Sequence, residues 1–394
     1  MDGSDLPATT APKLPTLDSL SDSQIAAIRQ IRSHEEATPP AIEASRPVGI
    51  FTEEARFQLE QDRVFRRLPV PVTVSARLPE PGSVLAHDGY GVPLVLTRGK
   101  DGKVRAFLNA CQHKGSKVVE NCEPHKAGRL VCPYHAWTYG LDGQLIGVPR
   151  QETFANLDKS TRGLAELACA ESGGLIWVQL DRKVPADFSS LSDQLDRDFT
   201  SLGIPTAHVY GYKRFDLAAN WKLVLEPFLE GYHVQRLHAQ SIGDMFADVP
   251  NVYDRFGLHT RQISGKINYE PSMLDAGVKN IHSVVTHAYL AFPSTVVVTS
   301  PYYISVMIIM PTGVRTSKVD YFMLTQSAPD NPKAEDLYAR SYELILKVFG
   351  TEDFRAAEIS QVGLDSGALG TVVYGGLEQA IPDFYEALEG QFKQ

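Results

Sequence analysis

Cys111-Gln-His113 and, after a gap of eighteen residues, Cys132-Pro-Tyr-His135 are the two runs on which the reading of this chain turns. Two thiols and two imidazoles at paired short spacings can present four soft or borderline ligands from two loops to one metal centre. Zinc accepts a Cys2His2 set, but zinc fingers usually pair Cys with Cys and His with His, the histidines on a helix. Here each run mixes one Cys with one His. A [2Fe–2S] cluster held by two thiolates on one iron and two imidazoles on the other needs this mixture, because each loop then gives one ligand to each iron. A zinc site, or a pair of buried thiols with incidental histidines, are the competing readings.

The surroundings of the two runs are short and β-rich. From about Val70 to Asp181, apolar runs such as Val92-Pro-Leu-Val-Leu-Thr and Val104-Arg-Ala-Phe-Leu alternate with turn signals at Asp88-Gly89, Asp101-Gly102 and Asp142-Gly143, the hairpin chemistry of a small antiparallel domain. Before it, residues 1 to about 48 are rich in Pro, Thr, Ser and Ala and read as a peripheral arm with one helix, Ser21 to His34, capped at Ser19 or Ser21. Past Asp181, helical stretches near Trp221 to Tyr232 and Ala334 to Phe349 flank Thr295-Val-Val-Val-Thr, Tyr303 to Met310 and Val319 to Leu324, which read as antiparallel strands. The expected organisation is an arm (1–48), a small all-β domain (49–182) and a mixed α+β domain (183–394).

Composition bounds the function. At 394 residues with 43% hydrophobic and 22% charged side chains, the chain is an ordinary globular sequence. A formal charge of −9 and the lack of a basic stripe oppose nucleic acid as a partner. No apolar run approaches the roughly 20 residues that span a bilayer, and Met1 to Asp5 lacks the features of a signal peptide, so no membrane role and a cytoplasmic location are expected. Of four cysteines, Cys122 and Cys169 read as ordinary thiols.

A second constellation is Asn220-Trp-Lys-Leu-Val-Leu-Glu226-Pro-Phe-Leu-Glu230-Gly-Tyr-His233, with His238 five residues on. Non-heme iron oxygenases hold Fe(II) by two His and one carboxylate, leaving positions open. Residues five apart point about 140° apart on an ideal helix, so His233 and His238 face one iron only if the helix breaks between them. Glu230 and His233, three apart, share a face. Taken alone, the two histidines read better as surface or capping residues, and it is the wider segment that favours the metal.

With both constellations in view, the chain resembles the Rieske non-heme iron oxygenases, aromatic-ring-hydroxylating type, in their oxygenase α subunit. Cys111-Gln-His-Lys-Gly115 and Cys132-Pro-Tyr-His-Ala-Trp-Thr-Tyr-Gly140 look like the family's two cluster loops, with Lys114 where Arg is commoner and Ala136 where Gly is commoner. The resemblance implies Cys111, His113, Cys132 and His135 as cluster ligands and His233 and His238 as ligands of a mononuclear Fe(II). It implies that Glu230 is not a ligand but bridges to a cluster histidine of a neighbouring subunit; aspartate is usual there, and Pro227 replaces a frequent Asn. The third iron ligand is expected in Glu352-Asp353-Phe-Arg-Ala-Ala-Glu358-Ile-Ser-Gln361, where Asp353 matches best and Glu352 and Glu358 compete. A solvated acidic helix start is the bland reading of that segment.

The fold so implied is α+β: a small all-β Rieske [2Fe–2S] domain and a larger catalytic domain with an antiparallel sheet and helices, of the helix-grip or START-like type. The chain has no G-x-G-x-x-G opening a βαβ unit, so electrons from NAD(P)H must arrive through a partner reductase or ferredoxin. The implied enzyme is a homotrimer that activates O2 at the iron to mono- or dioxygenate, or to dealkylate, a small and aromatic organic substrate. A Rieske electron carrier without oxygenase activity would need only the first constellation, and a zinc-stabilised binding module would be colourless. Phe228, Tyr289, Phe292, Tyr302 and Tyr303 are candidate pocket walls or core.

Overall fold

The computed structural model describes residues 15–393. The small β unit is built from three antiparallel sheets. In the five-stranded one, Ser83–His87, Leu94–Arg98 and Val104–Leu108 lie side by side, with Val84 opposite Thr97 and Leu94 opposite Leu108. Its side chains alternate between two cores. Val84, Ala86, Val95 and Phe107 enter the cluster that packs under the two cysteine loops, and Leu85, Leu94, Leu96 and Ala106 enter the main core. Both faces are covered, which is why these strands are apolar at consecutive positions. Asp101-Gly102 and Asp142-Gly143 are turns as expected, each glycine in the left-handed region (φ +77° and +81°).

A seven-stranded antiparallel sheet forms the second unit. Its order is His208–Leu217, Thr316–Thr325, Ile304–Gly313, Thr295–Thr299, Val285–Ala291, His259–Gly265 and Val252–Phe256. The three strands read from sequence are neighbours in its centre, Thr295 opposite Ile308 and Ile308 opposite Asp320. Helices Pro332–Lys347, Phe354–Asp365 and Ala380–Gly390 follow in the chain. Between the first two the backbone widens into a π turn, Val348–Asp353. Such turns are often found at functional sites.

The segment expected to be a peripheral arm is part of the second unit. Its first fourteen residues lie outside the described ones. The helix runs Asp22–Ile28, shorter than expected, with Ser21 and Gln24 forming a reciprocal capping box. It stops because the chain turns so that Ile31 joins Ile28, Ile263 and Tyr269 in an apolar cluster. Gln24 is fully buried and donates to the Tyr289 hydroxyl at 2.7 Å. Strand Ala44–Pro47 pairs with Thr371–Tyr374 near the other end of the chain. The following helices, placed with the β unit by the sequence reading, also face the second unit. Phe65 stacks edge-on to Trp221 at 5.0 Å, and Glu60 forms an ion pair with Lys222, both side chains fully buried.

The chain therefore enters and leaves the small β unit at one place. Strand Pro69–Val74 pairs with Leu175–Gln179, and the Asp181 N–H donates to the Arg66 carbonyl at 3.0 Å. Across the contact of the two units, Arg214 bonds Asp320 and Asp88, and His87 Nε2 lies 3.6 Å from Asp320. Burial raises the Asp320 carboxyl, but Arg214 and His87 outweigh it and hold the group well below the usual carboxylate range.

Candidate metal centres

The two cysteine loops are built alike. Gly115 N–H donates to the Cys111 carbonyl (2.8 Å) and Ala136 N–H to the Cys132 carbonyl (3.0 Å), so each loop doubles back four residues after its cysteine. The closing residue is left-handed in both, with φ +77° at Gly115 and +57° at Ala136. Alanine thus occupies a conformation that costs a residue with a Cβ roughly 1–2 kcal/mol. The loops bring Cys111, Cys132, His113 and His135 together. Both cysteines are buried, both histidines only partly, and His113 Nδ1 lies 3.1 Å from His135 Nδ1. Burial, and the adjacent Cys132, push the Cys111 thiol up. Two buried thiols beside two converging imidazole nitrogens suit a cluster in which the thiolates hold one iron and the imidazoles the other.

Three neighbours hold this arrangement. Trp137 stacks on His113 (4.9 Å, 8° between planes) and Tyr134 on His135 (3.8 Å). The Tyr139 hydroxyl accepts from Gln112 N–H at 2.9 Å and lies 3.2 Å from Cys111 Sγ, where it can donate. Cys122 and Cys169 are free thiols, half-buried.

The second centre forms where two irregular turns meet. The helix expected over Trp221 to Tyr232 runs only Trp221–Leu225 and tightens at Pro227 into a 3-10 turn, Glu226–Leu229; Glu230 is then extended (φ −150°). Beyond it the chain forms a single helical turn, Val234–Leu237, with His233 at its N-cap and His238 at its C-cap. No break separates the histidines, contrary to the expectation from helical spacing. His233 is itself helical (φ −73°, ψ −25°) and the backbone leaves the helix at His238 (φ −92°, ψ +17°), so the two imidazoles reach one point from the two ends of a single turn. Asp353 comes from the π turn. His233, His238 and Asp353 offer ligand atoms within 4.8 Å of one another, the one such group of three His, Cys, Asp or Glu among the described residues.

Asp353 Oδ1 lies 3.5 Å from His233 Nε2 and 3.3 Å from His238 Nε2. It is buried and accepts no hydrogen bond, an arrangement that a cation between the three would satisfy. The outer ring nitrogens are held by carboxylates. His233 Nδ1 lies 2.5 Å from Glu230 Oε1, and His238 Nδ1 2.6 Å from Glu352 Oε2. That is the orientation in which ligating imidazoles are usually fixed. Burial pushes His238 down, but Asp353 and Glu352 outweigh it and raise it above the usual imidazole value. Burial likewise raises Glu352, while the Ser241 hydroxyl and His238 hold it below its ordinary value.

Of the competing carboxylates, Glu352 therefore touches the outer edge of His238, and Glu358 instead accepts the Ala218 N–H at 2.9 Å. Glu230 meets His233 without sharing a helix face: its extended backbone lets Oε2 take the His233 N–H at 3.1 Å. A cavity of about 310 Å³ opens beside the three residues, walled by Phe228, Ile263, Val348 and Phe349. Of the proposed pocket walls only Phe228 lines it; Tyr289 and Phe292 are buried core and Tyr302 is exposed. Sequence reasoning missed the segment Gln30 to Thr38, which lines the same cavity. No motif in it signals that role. No helix among the described residues is long and apolar enough to cross a membrane.

Residues 69–163 match the Rieske [2Fe–2S] domain model, and residues 205–393 match the ring hydroxylating alpha subunit (catalytic domain) model. The chain is 27% identical to the carnitine monooxygenase oxygenase subunit of Escherichia coli (strain K12), over 81% of this chain and 84% of that one. It is 25% identical to the chloroplastic choline monooxygenase of Spinacia oleracea, over 83% and 74%. Among solved structures, the quaternary ammonium Rieske monooxygenase CntA with L-carnitine superposes with a TM-score of 0.76 at 23% identity, covering 91% of this chain and 97% of that one. Naphthalene 1,2-dioxygenase from Rhodococcus sp. superposes at 0.72 with 19% identity, covering 88% and 94%. With both domains present in order, the chain belongs to the Rieske non-heme iron oxygenase α subunits, terminal oxygenases with a Rieske [2Fe–2S] cluster and a mononuclear iron that use O2 and electrons supplied by a reductase.

Proposed function

We propose that this chain is a monooxygenase that hydroxylates an N- or O-alkyl carbon of a small organic substrate, so that the alkyl group leaves as an aldehyde. For a methyl group the balance is R–X–CH3 with O2, two electrons and two protons giving R–X–CH2OH and water, and the hemiaminal or hemiacetal then releases formaldehyde. The cavity beside His233, His238 and Asp353 carries the reading, since about 310 Å³ fits one small molecule with an apolar part against Phe228 and Phe349. The relatives named for choline, carnitine and glycine betaine monooxygenation support it, as those compounds carry N-methyl groups.

In this reading Cys111 and Cys132 hold one iron of the cluster, His113 and His135 the other, and His233, His238 and Asp353 hold the mononuclear Fe(II). The two centres, when bound, supply stored electrons and O2 activation. Glu352 fixes the His238 ring and Glu230 the His233 ring. Phe228, Val348 and Phe349 keep water from the reacting face. Glu230 also serves as the link to a cluster histidine of the next subunit in a homotrimer, using the lone pairs that His233 leaves free. The test is O2 uptake with a surrogate reductase and NADH across N-methyl and O-methyl compounds, with formaldehyde measured. Formaldehyde equal to O2 consumed is the expected result. A cis-diol or ring-hydroxylated product without aldehyde overturns the reading.

A further inference from the structure

The polar groups of the cavity differ in whether they are already engaged. Glu230 and Asp353, its carboxylates, belong to the metal centre. Gln262 and Ser264 bond Asn251, and Gln262 also reaches the Phe228 carbonyl. Arg32 and His34 are different. Both line the cavity from the segment after the first helix, and Arg32 has no hydrogen bond or ion pair with any described residue. His34 Nε2 is buried and has no hydrogen-bond partner among the described residues. Glu35 and Glu36, next in the chain, do not line the cavity.

A guanidinium that no carboxylate among the described residues answers, two residues from a buried imidazole nitrogen without a partner among them, is the donor pattern of a carboxylate subsite. The wall on the metal side is apolar, with Phe228, Ile263 and Phe349. A ligand that fills both parts has an apolar body over the triad and its negative charge at the N-terminal segment. We infer that Arg32 and His34 form an anion subsite and that the substrate is a small organic acid held by its carboxylate. This rests on the proposed oxygenase centre and narrows its substrate class. Arg32 repels a purely cationic molecule, and a zwitterion is accepted through its carboxylate end.

The experiment is calorimetric titration of the metal-loaded oxidised protein, without reductant, using benzoate, phenylacetate, 3-phenylpropanoate and 4-phenylbutanoate as probes. The matching alcohols and phenylalkyl-trimethylammonium ions are the comparison. One charge-assisted bond sets the expected preference for the best carboxylate over its alcohol at about tenfold or more. Arg32→Gln removes that preference, Arg32→Lys keeps part of it, His34→Phe weakens it, and Arg29→Ala, an exposed neighbour facing Asp275, leaves it intact. Equal binding of the three series, tightest binding of the cations, no binding of any carboxylate at millimolar concentration, or an unchanged preference in Arg32→Gln each overturns the subsite. The two readings fail separately. Carboxylates bound through Arg32 whose methoxylated forms release no formaldehyde count against dealkylation alone, and dealkylation of neutral substrates that ignores Arg32→Gln counts against the subsite alone.

Discussion

Replacing Glu352 by Gln tests the division of labour around the mononuclear centre. Glu352 Oε2 lies 2.6 Å from His238 Nδ1 and accepts the Ser241 hydroxyl at 2.7 Å. A Gln carbonyl can still accept both, so the ring stays oriented while the negative charge is lost. Outer carboxylates of this kind are worth roughly ten- to a hundredfold in metal affinity. Since geometry survives, Glu352→Gln should sit at the tenfold end, about 1.4 kcal/mol, and Glu352→Ala, which also frees the ring, at the hundredfold end. The assay is Fe(II) competition against a chromogenic chelator under anaerobic conditions, with the Rieske absorbance as internal control. Asp353→Asn should lose the mononuclear iron altogether. Glu358→Gln, which alters only the bond to Ala218, should bind iron as wild type does. Iron affinity unchanged in Glu352→Gln, or lost as completely as in Asp353→Asn, refutes the assignment; in the second case Glu352 is itself a ligand.

Ala136→Gly relieves a left-handed φ of +57°, but glycine also gives the unfolded chain more freedom, so the net gain is about 0.5–1 kcal/mol. A lower thermal midpoint or faster cluster loss than wild type would contradict that. Burial pushes the Glu226 carboxyl up to about 7, although its Oε1 accepts the hydroxyls of Tyr385 (2.5 Å) and Tyr374 (3.0 Å). A carboxyl raised above its unfolded value near 4.5 gives stability that is fully present below that value and lost as pH rises through 7. Glu226→Gln should therefore lack a loss of at most about 1.4 kcal/mol that wild type shows between pH 6 and 8 in urea unfolding, and parallel curves would rule the effect out. Glu230→Gln should retain both metals yet slow reoxidation of the reduced cluster by O2 with substrate present; reoxidation at the wild-type rate, or a fully active monomer, removes its bridging role.

How much of this is legible in the sequence depends on how local the cause is. The cysteine loops can be read because Cys111, His113, Cys132 and His135 lie within short runs, and the Asp-Gly turns because glycine's φ is a property of the residue. The strands at Thr295 and Ile308 show as apolar runs bounded by Pro or Gly. The spacing of His233 and His238 suggests a broken helix, since nothing in the sequence states that the helix lasts one turn. Pro227 and the extended Glu230 end the preceding helix before His233, the backbone leaves the next turn at His238, and a π turn more than a hundred positions later brings Asp353 opposite. Glu352 competes as a ligand at the level of sequence because spacing alone does not say which of two adjacent carboxylates faces inward. The role of residues 30–38 is invisible there, being set by Ile28 and Ile31 packing on strands more than two hundred positions later.

The bond between Arg66 and Asp181 has a bearing on how the molecule can be taken apart. Because residues 15–65 and 183–393 build one sheet-and-helix body, the intervening β unit is topologically a module spliced into it, with its two seams adjacent. A fragment starting at 183 would strip the partner from strand Thr371–Tyr374, strand Lys222 without Glu60, and remove one wall of the cavity. Excising residues 67–180 and joining the seams with a short linker keeps all three. Exchange of electron-receiving modules between such proteins belongs at these seams, and the stretch before them should travel with the reacting half.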